Sequence, residues 1–380
     1  MLGIAGADRP RYMPVLKARQ GERKALEAMT EPDSSILPVL EVVEVDFAGL
    51  ATEELHSELL KLAGRLGKAW PSGRPRIVID TADIELESTP DFDLHGELMA
   101  DPRLITAPLL ELLRANGMRA VPVIRLTDTD AYIESLQGLV QDGREPGACL
   151  RIGGEDLDDQ LIPLDRAVER LLYRYDLGPE RVDLLLDFGA LADDNTLGMA
   201  SPLARFVIPT LDREPWRSFA LGAGAFPVNL AEVSAYSIAE LPRRDRRFWL
   251  QLHGMQFRQP LDYSDYGVAH PLLQTGVAFA APPQVRYTAG DAWLVLKGRR
   301  TDRRGHKQFF DLCGRLLAER GADVSPANWS WGDEQIHRAA SNAGRDNTDM
   351  GPGNASTWRS IATSHHIGHV LHGLRTRGAP

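Results

Sequence analysis

Residues 12–17 read Tyr-Met-Pro-Val-Leu-Lys, and residues 36–41 read Ile-Leu-Pro-Val-Leu-Glu. Each is a short apolar run that stops on a charge, and the pattern continues along the chain. Ile77-Val78-Ile79 stops on Asp80, residues 120–124 on Arg125, Ala148-Cys149-Leu150 on Arg151, and residues 182–186 on Asp187. Residues 218–221 lead instead into Gly222-Ala223-Gly224, and residues 261–264 stop on Asp265. Between these runs, helical periodicity is read over residues 21–29, 52–66, 108–116, 130–141, 164–175 and 202–211. Strands that alternate with helices predict a parallel sheet covered on both faces, because parallel strands need crossovers that bury them. Eight strand–helix units over about 270 residues is the length of a (β/α)8 TIM-like barrel. A doubly wound open sheet is the alternative. It is weakened because no phosphate-binding glycine fingerprint follows the first strand.

The strand ends carry the functional expectation. In a parallel barrel the carboxyl ends of the strands open on one face, where sites are built. Lys17, Glu41, Asp80, Arg125, Arg151, Asp187 and Asp265 are expected to converge at that mouth, with Arg19 and Tyr266 beside them. Burying such a set is costly unless the groups pair or meet a ligand. Arg125 and Arg151 suit bidentate contact with a phosphate or carboxylate. Paired carboxylates suit acid–base chemistry when their environments separate their pKa values. The plainer reading is that charge marks where each strand leaves the core. Lys17 and Arg19 also stand close enough in sequence to pair with Glu22. No Ser or Cys occupies a nucleophile elbow, and HExxH, Walker A and CxxC patterns are missing. No catalytic residue is therefore assigned, and no cofactor is expected.

Composition narrows the class. The 380 residues are 43% hydrophobic and 25% charged, with a formal net charge of −10. That is ordinary for a globular protein and argues against general nucleic-acid binding, which rests on clustered Lys and Arg. The basic runs at residues 243–247 and 297–304 read as solvated surface. Cys149 and Cys313 sit in apolar settings and read as buried free thiols. No apolar run approaches the ~20 residues of a membrane span, and no signal-peptide pattern opens the sequence. No membrane association and a cytoplasmic location are expected.

Residues 1–275 are read as the barrel, and residues 276–380 as a hairpin-plus-helices α+β extension packed on it. A hairpin is predicted around Ala289-Gly290-Asp291, with helices over 306–320 and 333–341 and a last one from Thr357. Trp329 and Trp331, one residue apart, would face opposite sides of an extended strand. Four of the ten histidines, His365, His366, His369 and His372, fall in the last helix. At ~100° per residue, His365, His369 and His372 share one side, and Ile367, Val370, Leu371 and Leu374 the other. The histidines are thus expected to form a polar face, with His366 at its boundary. A zinc site needs three or four ligands, and none completes this set, so no metal is expected.

Several stretches resemble the beta family proteins, named after the beta protein of a satellite phage of enteric bacteria. They are YMPVLKARQGERKAL from Tyr12, LPVLEV from Leu37, SDYGVAHP from Ser264, VRYT from Val285, WGDEQI from Trp331 and TWRSIATSHHI from Thr357. The resemblance spans nearly the whole chain. It implies a role in a bacterial or mobile-element locus for defence against phage, or in neutralising a toxin, beside a partner protein encoded nearby. It carries no established reaction. The expected binding surface is the mouth together with a carboxyl-terminal face of Arg286, Trp331, Asp333, Trp358, His365 and His366, for a partner protein or a small ligand. The alternative is a barrel hydrolase or phosphodiesterase acting at the charged mouth.

Overall fold

The computed structural model describes residues 11–30, 34–43, 52–82, 101–142, 146–158, 162–272 and 281–380. In chain order its strands are β1 (Val15–Lys17), β2 (Val39–Glu41), β3 (Ile77–Asp80), β4 (Ala120–Ile124), β5 (Ala148–Ile152), β6 (Val182–Ala190), β7 (Ser218–Gly224), β8 (Ile238–Pro242), β9 (Asp262–Asp265), β10 (Gln284–Ala289) and β11 (Ala292–Lys297). The helices are α1 (Gln20–Glu27), α2 (Thr52–Ala69), α3 (Thr106–Ala115), α4 (Asp130–Gln141), α5 (Gly154–Asp158), α6 (Leu164–Tyr175), α7 (Asp194–Leu211), α8 (Arg244–His253), α9 (Gln308–Arg320), α10 (Trp331–Ala340) and α11 (Ala355–Arg377).

Strands β1 to β7 and then β9 form one parallel sheet in sequential order. The sheet closes: Met13 N donates to Tyr263 O at 2.8 Å, and Tyr263 N to Arg11 O at 3.0 Å. Tyr12 and Tyr263 form a parallel bridge at this seam, and their rings stack with centroids 5.8 Å apart. The protein is a (β/α)8 barrel, and the open sheet is excluded.

The strands read as continuous apolar runs because both faces are buried. Met13, Val15, Val39, Val78, Val121, Val123, Cys149, Leu185 and Ala220 form one buried cluster. By strand alternation it fills the barrel interior. The intervening Leu16, Leu40, Ile77, Ile79, Leu150, Leu184 and Leu186 belong to the larger core shared with the helices. Both cysteines are buried and free.

The sequence reading differs from the structure at several places. Helix α7 starts eight residues earlier than read, because Asp193 and Thr196 form a capping box and Pro202 sits inside the helix. Residues 225–260, unassigned from the sequence, contain β8 and α8. The run from Arg243 is not simply solvated surface, since Arg243 is 2% exposed at the head of α8. Trp329 and Trp331 do not lie on a strand. Ser330 caps α10, its side chain accepting from Asp333 N, and Trp331 is the first helical residue.

Strand β8 joins the hairpin in an antiparallel sheet ordered β10-β11-β8. Helices α9, α10 and α11 pack on it through a second core that includes Tyr287, Leu294, Leu296, Phe309, Phe310, Ile336, Trp358 and Ile361. Helix α11 is enclosed between this core and the barrel. Its histidines therefore do not form the expected outward face: His365 and His366 are 0% exposed, and only His372 is open to solvent.

Gly224, at the end of β7, admits a chain segment over the barrel, while Gly222 makes room for Ser264 and Leu185 of the flanking strands. A Cβ on Gly224 would lie 2.4 Å from Pro271 Cγ and 3.0 Å from Tyr266 Cδ2. Gly224→Ala is expected to destabilise the fold by about 1–3 kcal/mol through overpacking. Gly64→Ala, on an open helical position of α2, is expected to stabilise it by about 0.5–1 kcal/mol. Urea unfolding of the two variants compares them directly, and equal midpoints would refute the close approach at Gly224.

Candidate functional site at the barrel mouth

Side chains along a strand alternate with a period of two. Lys17 stands two residues beyond inward Val15, Glu41 beyond Val39, and Asp80 beyond Val78. Arg125 stands two beyond Val123, Arg151 beyond Cys149, and Asp187 beyond Leu185. The charges are thus the next inward layer above the apolar filling. On β7 the same position is Gly222, and after β9 it is Tyr266.

Arg151 is the centre of that layer. Its Nη1 donates to Glu41 Oε1 at 2.9 Å and Asp80 Oδ2 at 2.6 Å. Its Nε and Nη2 donate to Asp187 Oδ2 at 2.9 and 2.7 Å, and Nη2 also reaches Tyr266 Oη at 2.6 Å. Tyr266 in turn donates to Asp187 Oδ2 at 2.5 Å. Lys17 Nζ reaches Glu41 Oε2 at 2.9 Å and Pro271 O at 2.6 Å, so it pairs with Glu41 and not with Glu22. Arg125 grips Asp80 in bidentate fashion at 3.2 and 2.8 Å. The cations Lys17, Arg125 and Arg151 are matched by the carboxylates Glu41, Asp80 and Asp187.

The electrostatics follow from this matching. Burial pushes the Asp80 carboxyl up, but Arg125 and Arg151 outweigh it and hold the group below its ordinary range. Burial likewise opposes the charge on Arg151, and Tyr266, Asp187, Asp80 and Glu41 overcome it, raising its pKa. Burial and the carboxylates raise Tyr266, so its hydroxyl stays protonated and donates.

Asp265 is out of phase with this layer and turns away from the axis. Its Oδ1 accepts from Tyr12 Oη at 2.7 Å and from Gly267 N at 2.9 Å, and its Oδ2 lies 2.8 Å from His366 Nε2. His366 Nδ1 lies 2.8 Å from Thr288 Oγ1. His365 lies 3.0 Å from Asp333 Oδ2 through Nδ1 and 2.8 Å from Thr288 O through Nε2, and it stacks on Tyr287. Burial pushes His369 down to about 2, so it is neutral over the physiological range. Among the described residues, no group of three or more His, Cys, Asp and Glu is placed to hold a metal.

The structure therefore brings Lys17, Glu41, Asp80, Arg125, Arg151, Asp187 and Tyr266 into one network. Asp265, His365, His366 and Asp333 form a second, between the barrel and the carboxyl-terminal sheet. Arg19 and Arg286 line a separate cavity. Trp331 lies beneath Lys24, and Trp358 stacks on Phe309 at 4.7 Å, both outside the mouth. Sequence reading missed Tyr12, Thr288 and the use of Gly222 and Gly224. The signal for the glycines was the one strand that ended without a charge.

A cavity of about 790 Å³ opens on the network. Arg125, Arg151 and Asp187 line one side with Gly153, while Leu164 and Phe188 supply apolar wall.

Fold and site together define a (β/α)8-barrel protein whose mouth is filled by a neutralised ion-pair network, with an α+β region joined to the closing strand. The chain belongs to the Beta protein family, whose model matches residues 12–372. No curated protein matches it. Among solved structures it is similar to a D-psicose 3-epimerase from Clostridium cellulolyticum H10, crystallised with D-tagatose. That similarity is 11% identity over 70% of this chain and 86% of the epimerase, with a TM-score of 0.29. So low a TM-score supports nothing further, and the barrel rests on the chain's own strand pairing. No helix among the described residues is long and apolar enough to cross a membrane.

Asp80→Asn leaves Arg125 and part of Arg151 unmatched and is expected to cost on the order of 3–5 kcal/mol at pH 7. The native pKa of Asp80 is depressed, so its contribution is complete above the unfolded value of about 3.9 and is lost as pH falls through the lower native value. Wild-type and variant stabilities should therefore converge in acid. Urea midpoints from pH 7 to pH 2 check this, and a constant gap would mean that Asp80 is not ionised in the native state.

Proposed function

We propose that the protein is a small-ligand-binding barrel serving a bacterial or mobile-element locus for defence against phage, where it acts beside a partner protein. The observation that carries the binding reading is the saturation of the mouth charges next to an open cavity. Asp187 Oδ2 already accepts from Arg151 and Tyr266, and its Oδ1 from Gly189 N at 3.0 Å. Such a network makes a rigid, prearranged floor, with little spare capacity for proton transfer. A cavity of this size suits a small molecule. Arg125, whose bidentate grip on Asp80 uses two of its five donors, favours an anionic group, and the apolar wall a hydrophobic one. The defence setting and the partner rest on the family resemblance. A hydrolase or phosphodiesterase acting at the same mouth is less well supported, because each carboxylate there is already committed to a cation.

Gly153→Phe tests the reading. A Cβ there meets only Asp156 Oδ2, at 3.9 Å, so the ring has room to enter the cavity. The variant is expected to keep its melting temperature within a few degrees. Small molecules released by denaturing the wild-type protein, purified from its host, should include an anionic compound that the variant lacks. Its host should also lose resistance in a phage challenge. Identical extracts from the two proteins would remove ligand binding at the mouth, and retained resistance would remove the link to defence.

A further inference from the structure

Helix α1 begins against its own electrostatics. Its cap position is Arg19, whose side chain makes no capping hydrogen bond, where Ser, Thr, Asp or Asn would normally stand. A cation at the positive end of a helix is unfavourable. The start of α11 lies alongside: a Cβ on Gly21 would come 2.7 Å from Arg359 Cγ and 3.1 Å from Ser356 O. Two helix N-termini therefore meet at one place, and a cavity of about 380 Å³ opens between them.

The cavity lining compounds the problem. Lys17, Arg19, Arg286 and Arg359 all face it, with Glu22 as the one carboxylate residue among those lining it. Lys17 is matched by Glu41. Glu22 lies 3.7 Å from Arg359 and is a loose partner. Arg286 donates to neutral groups, Val268 O and Gln284 Oε1, and packs over the Phe226 ring at 4.3 Å. Burial and the neighbouring Arg359 hold the Arg286 guanidinium well below its ordinary value. Burial also lowers Arg359; Glu22 works against that shift and Arg19 with it. Among the residues lining this concave space, cationic side chains thus outnumber carboxylates, and two helix N-termini stand at its edge.

We propose that this cavity is a phosphate-binding site, distinct from the mouth cavity, which takes the phosphoryl group of a small phosphorylated compound. Arg286 and Arg359 supply guanidinium donors, and the first turn of α1 supplies backbone N–H groups, the usual combination for a tetrahedral oxyanion. The cavity is larger than one phosphate and leaves room for a diphosphate. Access is open, since the Arg359 side chain is 29% exposed. The site does not depend on the ligand proposed for the mouth, and Gly153→Phe should leave it intact.

The test uses the full chain with inorganic phosphate and pyrophosphate as probes, at constant ionic strength against sodium chloride. Both anions are expected to raise the melting temperature of the wild type and of Gly153→Phe. Arg359→Gln and Arg286→Gln should each bind phosphate at least tenfold more weakly. Without phosphate each variant loses its own contacts, Arg359 with Glu22 and Arg286 with Val268 O and the Phe226 ring, so the lost phosphate response and not the melting temperature is the readout. A purely structural arginine would instead keep the phosphate response when replaced. That result, or an equal shift with chloride, overturns the proposal. Should either variant fail to fold, phenylglyoxal modification of the wild type decides. Phosphate should protect Arg19 and Arg359 but not the exposed Arg166, and equal labelling with and without phosphate overturns it.

Discussion

A guanidinium on the axis of a parallel barrel can stay charged only if acceptors surround it on several sides. Arg151 meets that demand with groups from four other strand ends: Glu41 from β2, Asp80 from β3, Asp187 from β6 and Tyr266 just beyond β9. Each partner is held there by strand alternation, which also fixes the apolar layer beneath. The network therefore ties the register of distant strands to one residue. Slipping any of these strands by one residue would turn its charge outward and leave Arg151 short of a partner. Such a layer is weak as a source of net stability, because desolvation offsets much of the attraction. As a constraint on which arrangement forms, it is strong.

The same alternation explains the second network. Asp265 follows Ser264, whose hydroxyl donates across the seam to Met13 O at 2.7 Å, and so it faces the other way. It meets Tyr12, also on the outer face, and His366 from α11. Burial would raise the Asp265 carboxyl, but His366, Arg243 and Tyr12 hold it down. Thr288 then links His366 to His365 through its hydroxyl and its carbonyl, and His365 continues to Asp333. The carboxyl-terminal sheet and helices are thus fastened to the closing strand of the barrel by buried polar groups as well as by apolar packing. The histidine-rich stretch serves as this joint.

Much of the barrel was legible in the sequence, for a definite reason. Strands buried on both faces leave uninterrupted apolar runs, and the first inward position above the core must change chemistry, which left a charge at the stop of β1 to β6. Lys17, Glu41, Asp80, Arg125, Arg151 and Asp187 were readable on that basis. The partners were not, because pairing across the axis depends on the order in which a closed sheet brings its ends together. Asp265 looked equivalent to the others by position, and only the phase of its strand set it apart. The histidines misled for a related reason. A helical wheel shows which residues share a side, but not that both sides are covered. Helix α11 is packed between two cores, and the imidazoles of His365 and His366 are satisfied by Asp265, Asp333 and Thr288 from elsewhere in the chain.

Buried charge is not confined to one end of this barrel. At the opposite end Asp183, also in the inward phase of β6, accepts from Arg217 at 3.1 and 2.7 Å, from Arg76 at 3.2 and 3.1 Å, and from Ser218 at 2.7 Å. Burial works against the Asp183 carboxylate, and the two arginines hold its pKa below the ordinary value, much as at Asp80. Both ends therefore solve the same desolvation problem with the same chemistry. The upper network is set apart here by the cavities that its own residues line. At the upper end Arg151 and Asp187 border one cavity and Lys17 another, with Glu41 bridging Lys17 to Arg151 between them. An anion entering either cavity would meet a cation that already has a partner. The upper network is thus both the floor of two candidate sites and the one physical connection described between them.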